Sequence, residues 1–223
     1  TCALPISLLG LAAATLEQGD LKRAKSAAED AVETAPEEPD AHFVLARTHR
    51  AMNDRDAARR ALERALELDD TRADFHAAFG ELAMQSERPD LAFDHLERAI
   101  ELDPSRGGAV VSFAEVLLQT EAYERLGELL ERPEDWNETA EWRLVRPIFM
   151  ALRAELDDGD LAAARSAFEA AVEQYRDALP IDTGLDVARR YALVLEPQER
   201  DLVETMIDIL EGRSELDALS ARD

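Results

Sequence analysis

The chain has 223 residues; 46% are hydrophobic, which is enough to build a core, but only 5% are aromatic, which argues against β-sandwiches and β-barrels. The 49 acidic and 25 basic residues give a formal net charge of -24, which excludes long-range attraction to nucleic acid or to an anionic membrane. The single cysteine excludes an internal disulfide framework and a zinc site built from cysteines, and no apolar run reaches the roughly 18–20 residues that span a bilayer.

Residues 2–16 are apolar enough to resemble the core of a signal peptide. No basic residues precede them, and they keep the register of the repeats that follow, so a helix that is apolar all round is favoured over a cleaved signal. Residues 1–4 are read either as native sequence or as a cloning remnant.

A period of 34 residues runs through the first half of the chain. Small residues recur at this spacing in three sets. The first set is Ala12, Ala46, Gly80 and Ala114, the second is Ala24, Ala58 and Ala92, and the third is Ala31, Ala65 and Ala99. Large apolar residues recur between them at Leu11, Leu45, Phe79 and Phe113, and successive units are closed by Pro36, Asp70 and Pro104. Several residue classes that align at one offset are not expected by chance, so the sequence predicts an array of similar units.

Each unit is predicted to contain two helices joined by a short turn. The turns contain Gly19 and Asn53, which are residue types that adopt a left-handed backbone at low cost where a helix ends. The small residues are predicted to lie where the two helices cross, because a larger side chain there would push the backbones apart and cost on the order of 1–3 kcal/mol.

This pattern resembles the tetratricopeptide repeat, whose Gly-Asp turn, three spaced alanines and closing proline all have counterparts here. The regular repeats are assigned to about residues 5–38, 39–72 and 73–106, and His42 and His76 occupy a position that is often tryptophan in the family. The resemblance implies an all-α fold, a right-handed α-solenoid of helix-turn-helix hairpins with a concave groove.

The register weakens in the second half of the chain. Residues 107–178 are read as two divergent repeats with an insertion near 132–140. Within this insertion, Asp135 or Asn137 is expected to cap the next helix.

The segment Asp158-Gly159-Asp160 resembles the turn of the earlier repeats, and Pro147 is expected to start or kink a helix. Residues 179–223 are predicted to form capping helices, at 185–195 and 198–210, followed by a polar tail that frays.

No motif for phosphate binding or for a nucleophilic serine is present. The four histidines, which are His42, His49, His76 and His95, lack the spacing of a metal site and are predicted to pack at hairpin interfaces. Acidic neighbours such as Asp69 and Asp70 lie at helix ends, where nothing indicates a pocket that shifts a pKa for catalysis. The sequence therefore predicts no catalytic residue, no metal and no cofactor, and a protein that is not an enzyme.

The resemblance also implies which residues face the groove, because the first helix of each repeat lines it in this family. The partner-binding residues implied in this way are Phe43, Arg47, Arg50, Ala77, Glu81, Met84, Glu115, Leu118, Arg146, Phe149 and Arg153. Arg47 and Arg50, one helical turn apart, are predicted either to hold a ligand carboxylate or to pair with glutamates at a solvated surface. Phe149, flanked by Arg146 and Arg153, is predicted to hold an aromatic or acidic side chain, with the arginines paired to glutamates as the alternative. The clamp with which some family members bind chaperone C-termini is absent, since its positions hold Leu9, Ala13, Val44, Asp74 and Ala78.

These observations predict a non-catalytic scaffold whose concave groove binds a short amphipathic or acidic peptide, or a partner domain. Two alternatives stay open, the repeat arm of a larger enzyme such as a glycosyltransferase or sulfotransferase, and an assembly factor of the envelope or of secretion. The expected partner is a protein or peptide ligand, or upstream repeats or a domain of a longer chain, with no nucleic acid and no membrane insertion in this segment. A cytoplasmic location is favoured over a periplasmic one.

Overall fold

The structure is a computed structural model that describes residues 3–133, 136–154, 156, 160–179, 185–193, 195 and 197–220. All regular secondary structure over these residues is helical, which confirms the predicted all-α fold. The chain divides into two compact units, Thr1–Leu102 (unit 1) and Asp103–Asp223 (unit 2). The right-handed course of the array stays a prediction.

Unit 1 consists of three helical hairpins. Its helices are α1 (Ala3–Glu17), α2 (Leu21–Thr34), α3 (Pro39–Ala51), α4 (Arg55–Leu68), α5 (Ala73–Gln85) and α6 (Pro89–Leu102). Helix α1 packs against α2, α3 against α4, and α5 against α6, and successive hairpins meet through α2 with α3 and α4 with α5. The predicted two-helix units are therefore confirmed in this part of the chain.

The same backbone turn ends the first helix of each hairpin. Gly19 and Asn53 have φ values of 76° and 60°, which confirms the left-handed conformation predicted for them. Glu87 and Glu121 occupy the equivalent positions, at φ values of 54° and 57°, although glutamate adopts this conformation only at a cost. The turn is thus set by the repeat and not by the residue type.

Aspartate side chains cap the second helices that follow two of these turns. The carboxylate of Asp20 accepts a hydrogen bond from the backbone N–H of Arg23 at 3.2 Å, and that of Asp54 accepts one from the N–H of Ala57 at 3.1 Å. Such caps satisfy backbone donors that have no partner within the helix. The Gly-Asp and Asn-Asp pairs therefore end one helix and start the next.

The recurring small residues of unit 1 are buried at the helix crossings, as predicted. Ala12, Ala24, Ala31, Ala58, Ala65, Ala92 and Ala99 are completely buried. Gly80 shows why size matters at these crossings, because a Cβ atom added there would lie 2.4 Å from Cγ of Leu96. Close approach of the two backbones in this hairpin therefore depends on the missing side chain.

Unit 2 is built around one central helix. Its helices are α7 (Gly107–Gln119), α8 (Tyr123–Leu130), α9 (Ala140–Arg153), α10 (Leu161–Gln174), α11 (Leu185–Ala192), α12 (Pro197–Leu210) and α13 (Asp217–Ser220), with a 3-10 turn at Arg176–Ala178. Helix α9 contacts α7, α8, α10, α11 and α12. This arrangement buries α9 more than the first helices of unit 1.

The start of α9 differs from the prediction. Thr139 is the capping residue, and the Oδ1 atom of Asn137 accepts hydrogen bonds from the backbone and side chain of Thr139. The amide of Asn137, which is almost completely buried, donates to the carbonyl oxygen of Pro104 at 2.6 Å. Asn137 therefore supports the cap instead of forming it, while Asp135 lies outside the described residues. Pro147 lies inside α9 and does not start it.

The last part of the chain contains one more helix than predicted. Helix α11 ends at Ala192, short of the predicted residue 195, and α13 packs against α12 within the expected polar tail. Leu219 is buried, and its carbonyl oxygen accepts a hydrogen bond from Arg165 at 2.9 Å. These contacts place α13 against the rest of unit 2, and the fraying of the tail stays a prediction. The predicted turn at Asp158 and Gly159 lies outside the described residues.

Candidate functional site

A cleft in unit 1 crosses the ends of the three first helices. It has a volume of about 420 Å³ and is lined by Leu16 and Glu17 of α1, Arg47, Arg50 and Ala51 of α3, and Gln85 of α5. We call it the Arg47 cleft. Both arginines also line a smaller adjacent cavity together with the apolar residues Ala46, Leu62 and Ala78.

Arg50 and Glu81 form an ion pair that joins α3 to α5. The distance between Nη1 of Arg50 and Oε2 of Glu81 is 2.6 Å, and the two side chains are 33% and 38% exposed. An ion pair that is this accessible contributes little to stability, typically about 0–1 kcal/mol. Of the two readings of Arg50 from the sequence, pairing with a glutamate is the one that the structure shows.

Arg47 differs from its neighbour. Its side chain is partly exposed in the cleft, and none of the residues that the structure describes forms an ion pair or hydrogen bond with its guanidinium group. A guanidinium group presents several N–H donors in one plane and binds a carboxylate through two parallel hydrogen bonds. Arg47 is therefore the cation of the cleft that is available to a ligand.

The other predicted residues of unit 1 have structural contacts. The rings of Phe43 and Phe75 lie 4.7 Å apart between centroids, so Phe43 packs between the second and third hairpins. Ala77 is buried, while Met84 is partly exposed near the end of α5. Of the residues predicted for the groove in unit 1, Arg47 and Arg50 are the two that line the Arg47 cleft.

The predicted groove residues of unit 2 require correction. Glu115, Leu118 and Phe149 are buried within the unit, so they form part of its core and are not available to a partner. Arg146 donates a hydrogen bond to the carbonyl oxygen of Leu130. The guanidinium group of Arg153 lies against Gly127, where an added Cβ atom would be 2.8 Å from its Cζ.

Sequence reasoning missed three residues of the cleft. Glu17, Ala51 and Gln85 are one period apart and end the three first helices. Ala51 and Gln85 directly follow Arg50 and Met84, which the family resemblance had implied for the groove, and Glu17 is their equivalent in the first repeat. The signal was therefore present in the 34-residue spacing, one residue beyond the positions that were chosen.

Two of the histidines connect a first helix to the segment before it. Nε2 of His42 lies 2.8 Å from the carbonyl oxygen of Pro36, and Nε2 of His76 lies 3.1 Å from that of Asp70. The two bonds are equivalent in the 34-residue period. They agree with the predicted packing role of these side chains.

Two protein-family profiles described as tetratricopeptide repeat match the chain, over residues 15–82 and over residues 73–106. A search of curated proteins finds no match. None of the described helices combines the length and the apolar character that a bilayer crossing requires.

Solved structures show the same fold at low sequence identity. The chain is similar to YrrB, described as a TPR protein with an unusual peptide-binding site, at 16% identity and a TM-score of 0.59, over 84% of this chain and 91% of that one. It is similar to PilW, described as a widely conserved type IV pilus biogenesis factor, at 16% identity and a TM-score of 0.62, over 99% and 90% of the two chains.

A third similar structure is a mutant O-GlcNAc transferase of Thermobaculum terrenum, at 23% identity and a TM-score of 0.54. The match covers 60% of this chain and 26% of that enzyme, so the chain spans about a quarter of the enzyme's length.

Proposed function

We propose that this tetratricopeptide repeat protein is a non-catalytic scaffold that binds a peptide or a segment of a partner domain in the Arg47 cleft. The repeats and the similarity to other repeat proteins support a role in protein interaction. The observation that carries the more specific proposal is Arg47, a partly exposed cation for which the described part of the chain supplies no counter-ion.

The chemistry of the cleft defines the ligand. Arg47 takes an acidic side chain through paired hydrogen bonds, and the neighbouring Leu16 and Ala51 take a small apolar residue. The net charge of -24 repels a uniformly acidic peptide at long range, so basic residues are expected on either side of the acidic one. We therefore expect an amphipathic segment with one acidic anchor. The description of YrrB as having a peptide-binding site supports a peptide as the ligand, without bearing on its sequence.

Selection from a random peptide library displayed on phage tests this proposal directly. The wild-type chain is expected to enrich peptides that share an acidic residue at one position. With Arg47→Glu, which leaves the Arg50–Glu81 pair in place, the enrichment of that acidic residue is expected to disappear, and the affinity of a wild-type peptide is expected to fall by at least about tenfold, since charge-assisted hydrogen bonds contribute about 1.5–3 kcal/mol.

Arg60→Glu is the matched control, because it makes the same change of charge at an exposed residue of α4 that does not line the cleft. This variant is expected to enrich the same peptides as the wild type. If Arg47→Glu enriched the same acidic peptides as the wild type, the cleft would be excluded as the binding site. Equal loss of these peptides by Arg47→Glu and Arg60→Glu would exclude it as well.

Two alternatives rest on the similar structures. The likeness to the O-GlcNAc transferase supports the repeat arm of a larger enzyme, and the likeness to PilW supports an assembly factor of the envelope. The reading frame on both sides of residues 1–223 separates them. A catalytic domain in the same frame favours the enzyme arm, whereas a leader or lipid-anchor motif favours the envelope factor.

A further inference from the structure

The third hairpin brings two histidine side chains together across its helices. His76 belongs to α5 and His95 to α6, and their Nδ1 atoms are 3.1 Å apart. The ring centroids are 5.2 Å apart, and the rings are tilted by 35°. Both side chains are partly exposed to solvent.

The surroundings fix which ring atoms carry protons. Nε2 of His76 lies against the carbonyl oxygen of Asp70 at 3.1 Å, so Nε2 donates and Nδ1 of the neutral ring presents a lone pair towards His95. The ring of His95 is stacked on Phe79 with centroids 4.0 Å apart, which holds its orientation. A histidine that ligates a metal usually donates its other ring N–H to a carbonyl or carboxylate group, as His76 does here.

The spacing of the two nitrogens matches that of two ligands of one ion. Imidazole nitrogens lie about 2.0–2.1 Å from zinc, so two of them in adjacent coordination positions are about 3.0–3.4 Å apart. We infer that His76 and His95 form a two-histidine site for a divalent transition-metal ion, with Zn(II), Ni(II) or Cu(II) as the class of ligand. When the ion binds, the proton on Nδ1 of His95 moves through solvent to Nε2 of the same ring, so that both Nδ1 atoms present a lone pair to the metal.

Charged groups of both signs lie near the two histidines. The charged groups that act on the pair are Asp70, Asp94 and Arg98. Within the described residues no group of three or more metal-ligating side chains occurs, so water completes the coordination.

The pair is specific to the third hairpin. His42 is equivalent to His76 in the 34-residue period, but the residue equivalent to His95 in the second hairpin is Ala61. The second hairpin therefore packs without a second histidine at this position. This difference makes the second hairpin an internal reference for the third.

Titration of the untagged chain with Cu(II) and Zn(II) at pH 7.5, followed by calorimetry, tests the site. One ion per chain is expected, with a rise in melting temperature because the ion joins α5 to α6. His76→Gln and His95→Gln are each expected to weaken binding by at least about tenfold. His49→Gln is the matched control, since His49 faces Asp54 and no second histidine.

Electron paramagnetic resonance of the Cu(II) complex provides a readout that does not depend on the stability of the variants. Coupling of the copper to two nitrogen atoms is expected in the wild type and in His49→Gln. Equal affinity in all four proteins would assign the binding to the acidic surface and overturn the inference. A wild-type spectrum with oxygen ligands only, or no binding at micromolar concentrations, would overturn it as well.

Discussion

At the scale of single residues, the four equivalent helix-ending turns differ in how well the residue suits the backbone. Glycine and asparagine occupy the first two, and glutamate occupies the other two at the same positive φ. A residue with a Cβ atom in this conformation costs about 1 kcal/mol relative to glycine. Glu87 and Glu121 are exposed, so replacing them removes little packing.

We therefore expect Glu87→Gly and Glu121→Gly each to raise the free energy of unfolding by about 0.5–1 kcal/mol, measured by urea denaturation. Glu29→Gly makes the same substitution inside the regular helix α2, where glycine is expected to destabilise by about 1 kcal/mol. A loss of stability in all three variants would contradict the role given to the backbone conformation.

At the scale of the helical hairpin, the distance between paired helices depends on the size of the residue at their crossing. Gly80→Ala places a methyl group 2.4 Å from Cγ of Leu96 and 3.3 Å from the carbonyl oxygen of Ala92. Because the backbone oxygen cannot move away as a side chain can, we expect a loss of about 1–3 kcal/mol in the free energy of unfolding.

Gly10→Ala is the matched control for this crossing, since Gly10 also lies in a first helix and nothing is within 4 Å of the added Cβ atom. It is expected to gain up to about 1 kcal/mol from the higher helix propensity of alanine. Thermal unfolding followed by circular dichroism measures both variants, and equal stability of the two would argue against the crossing as the cause.

The packing of a helix could be predicted where its contacts are with neighbouring segments of the sequence, and could not be predicted where they are with distant segments. The 34-residue period gave the hairpins of unit 1, because each helix there packs mainly against its neighbours in sequence. Helix α9 instead contacts five other helices, among them α12, and this buries Phe149 where the repeat pattern placed it in a groove. Contacts between segments that are distant in sequence leave no periodic signal.

In the candidate site too, the contacts that do not repeat with the 34-residue period could not be predicted from the sequence. The spacing predicted that Arg47 and Arg50 lie one helical turn apart on α3, and both line the cleft, yet only the structure shows that Glu81 pairs with Arg50 and leaves Arg47 without a counter-ion among the described residues. The pairing of His76 with His95 joins helices whose histidines are 19 residues apart, and only one of them follows the period. Side-chain pairs that occur in a single repeat require the structure.

At the scale of the whole molecule, the histidines and the tryptophans lie in different units. All four histidines lie in unit 1, and both tryptophans lie in unit 2. Burial is the main cause that lowers the pKa of His49, His76 and His95, so the folded state favours their neutral forms. The unfolded chain therefore takes up more protons than the folded chain below the ordinary histidine pKa of about 6.5.

This division predicts that acid destabilises unit 1 first. The contribution of the neutral histidines is fully present above pH 6.5 and is lost as the pH falls towards 4, the folded-state pKa of His95. Between pH 7.5 and pH 5.0, we expect the urea midpoint followed by far-ultraviolet circular dichroism to fall by on the order of 0.5 M. The midpoint followed by tryptophan fluorescence, which reports unit 2, is expected to move less.

The variant His95→Phe separates the histidines from the carboxylates in this experiment. Phenylalanine keeps a ring against Phe79 but takes up no proton, so the shift in the midpoint between the two pH values is expected to be smaller than in the wild type. Carboxylates occur in both units, so their protonation is expected to act on both midpoints. An equal shift of the dichroism and fluorescence midpoints, unchanged by His95→Phe, would attribute the pH dependence to the carboxylates instead.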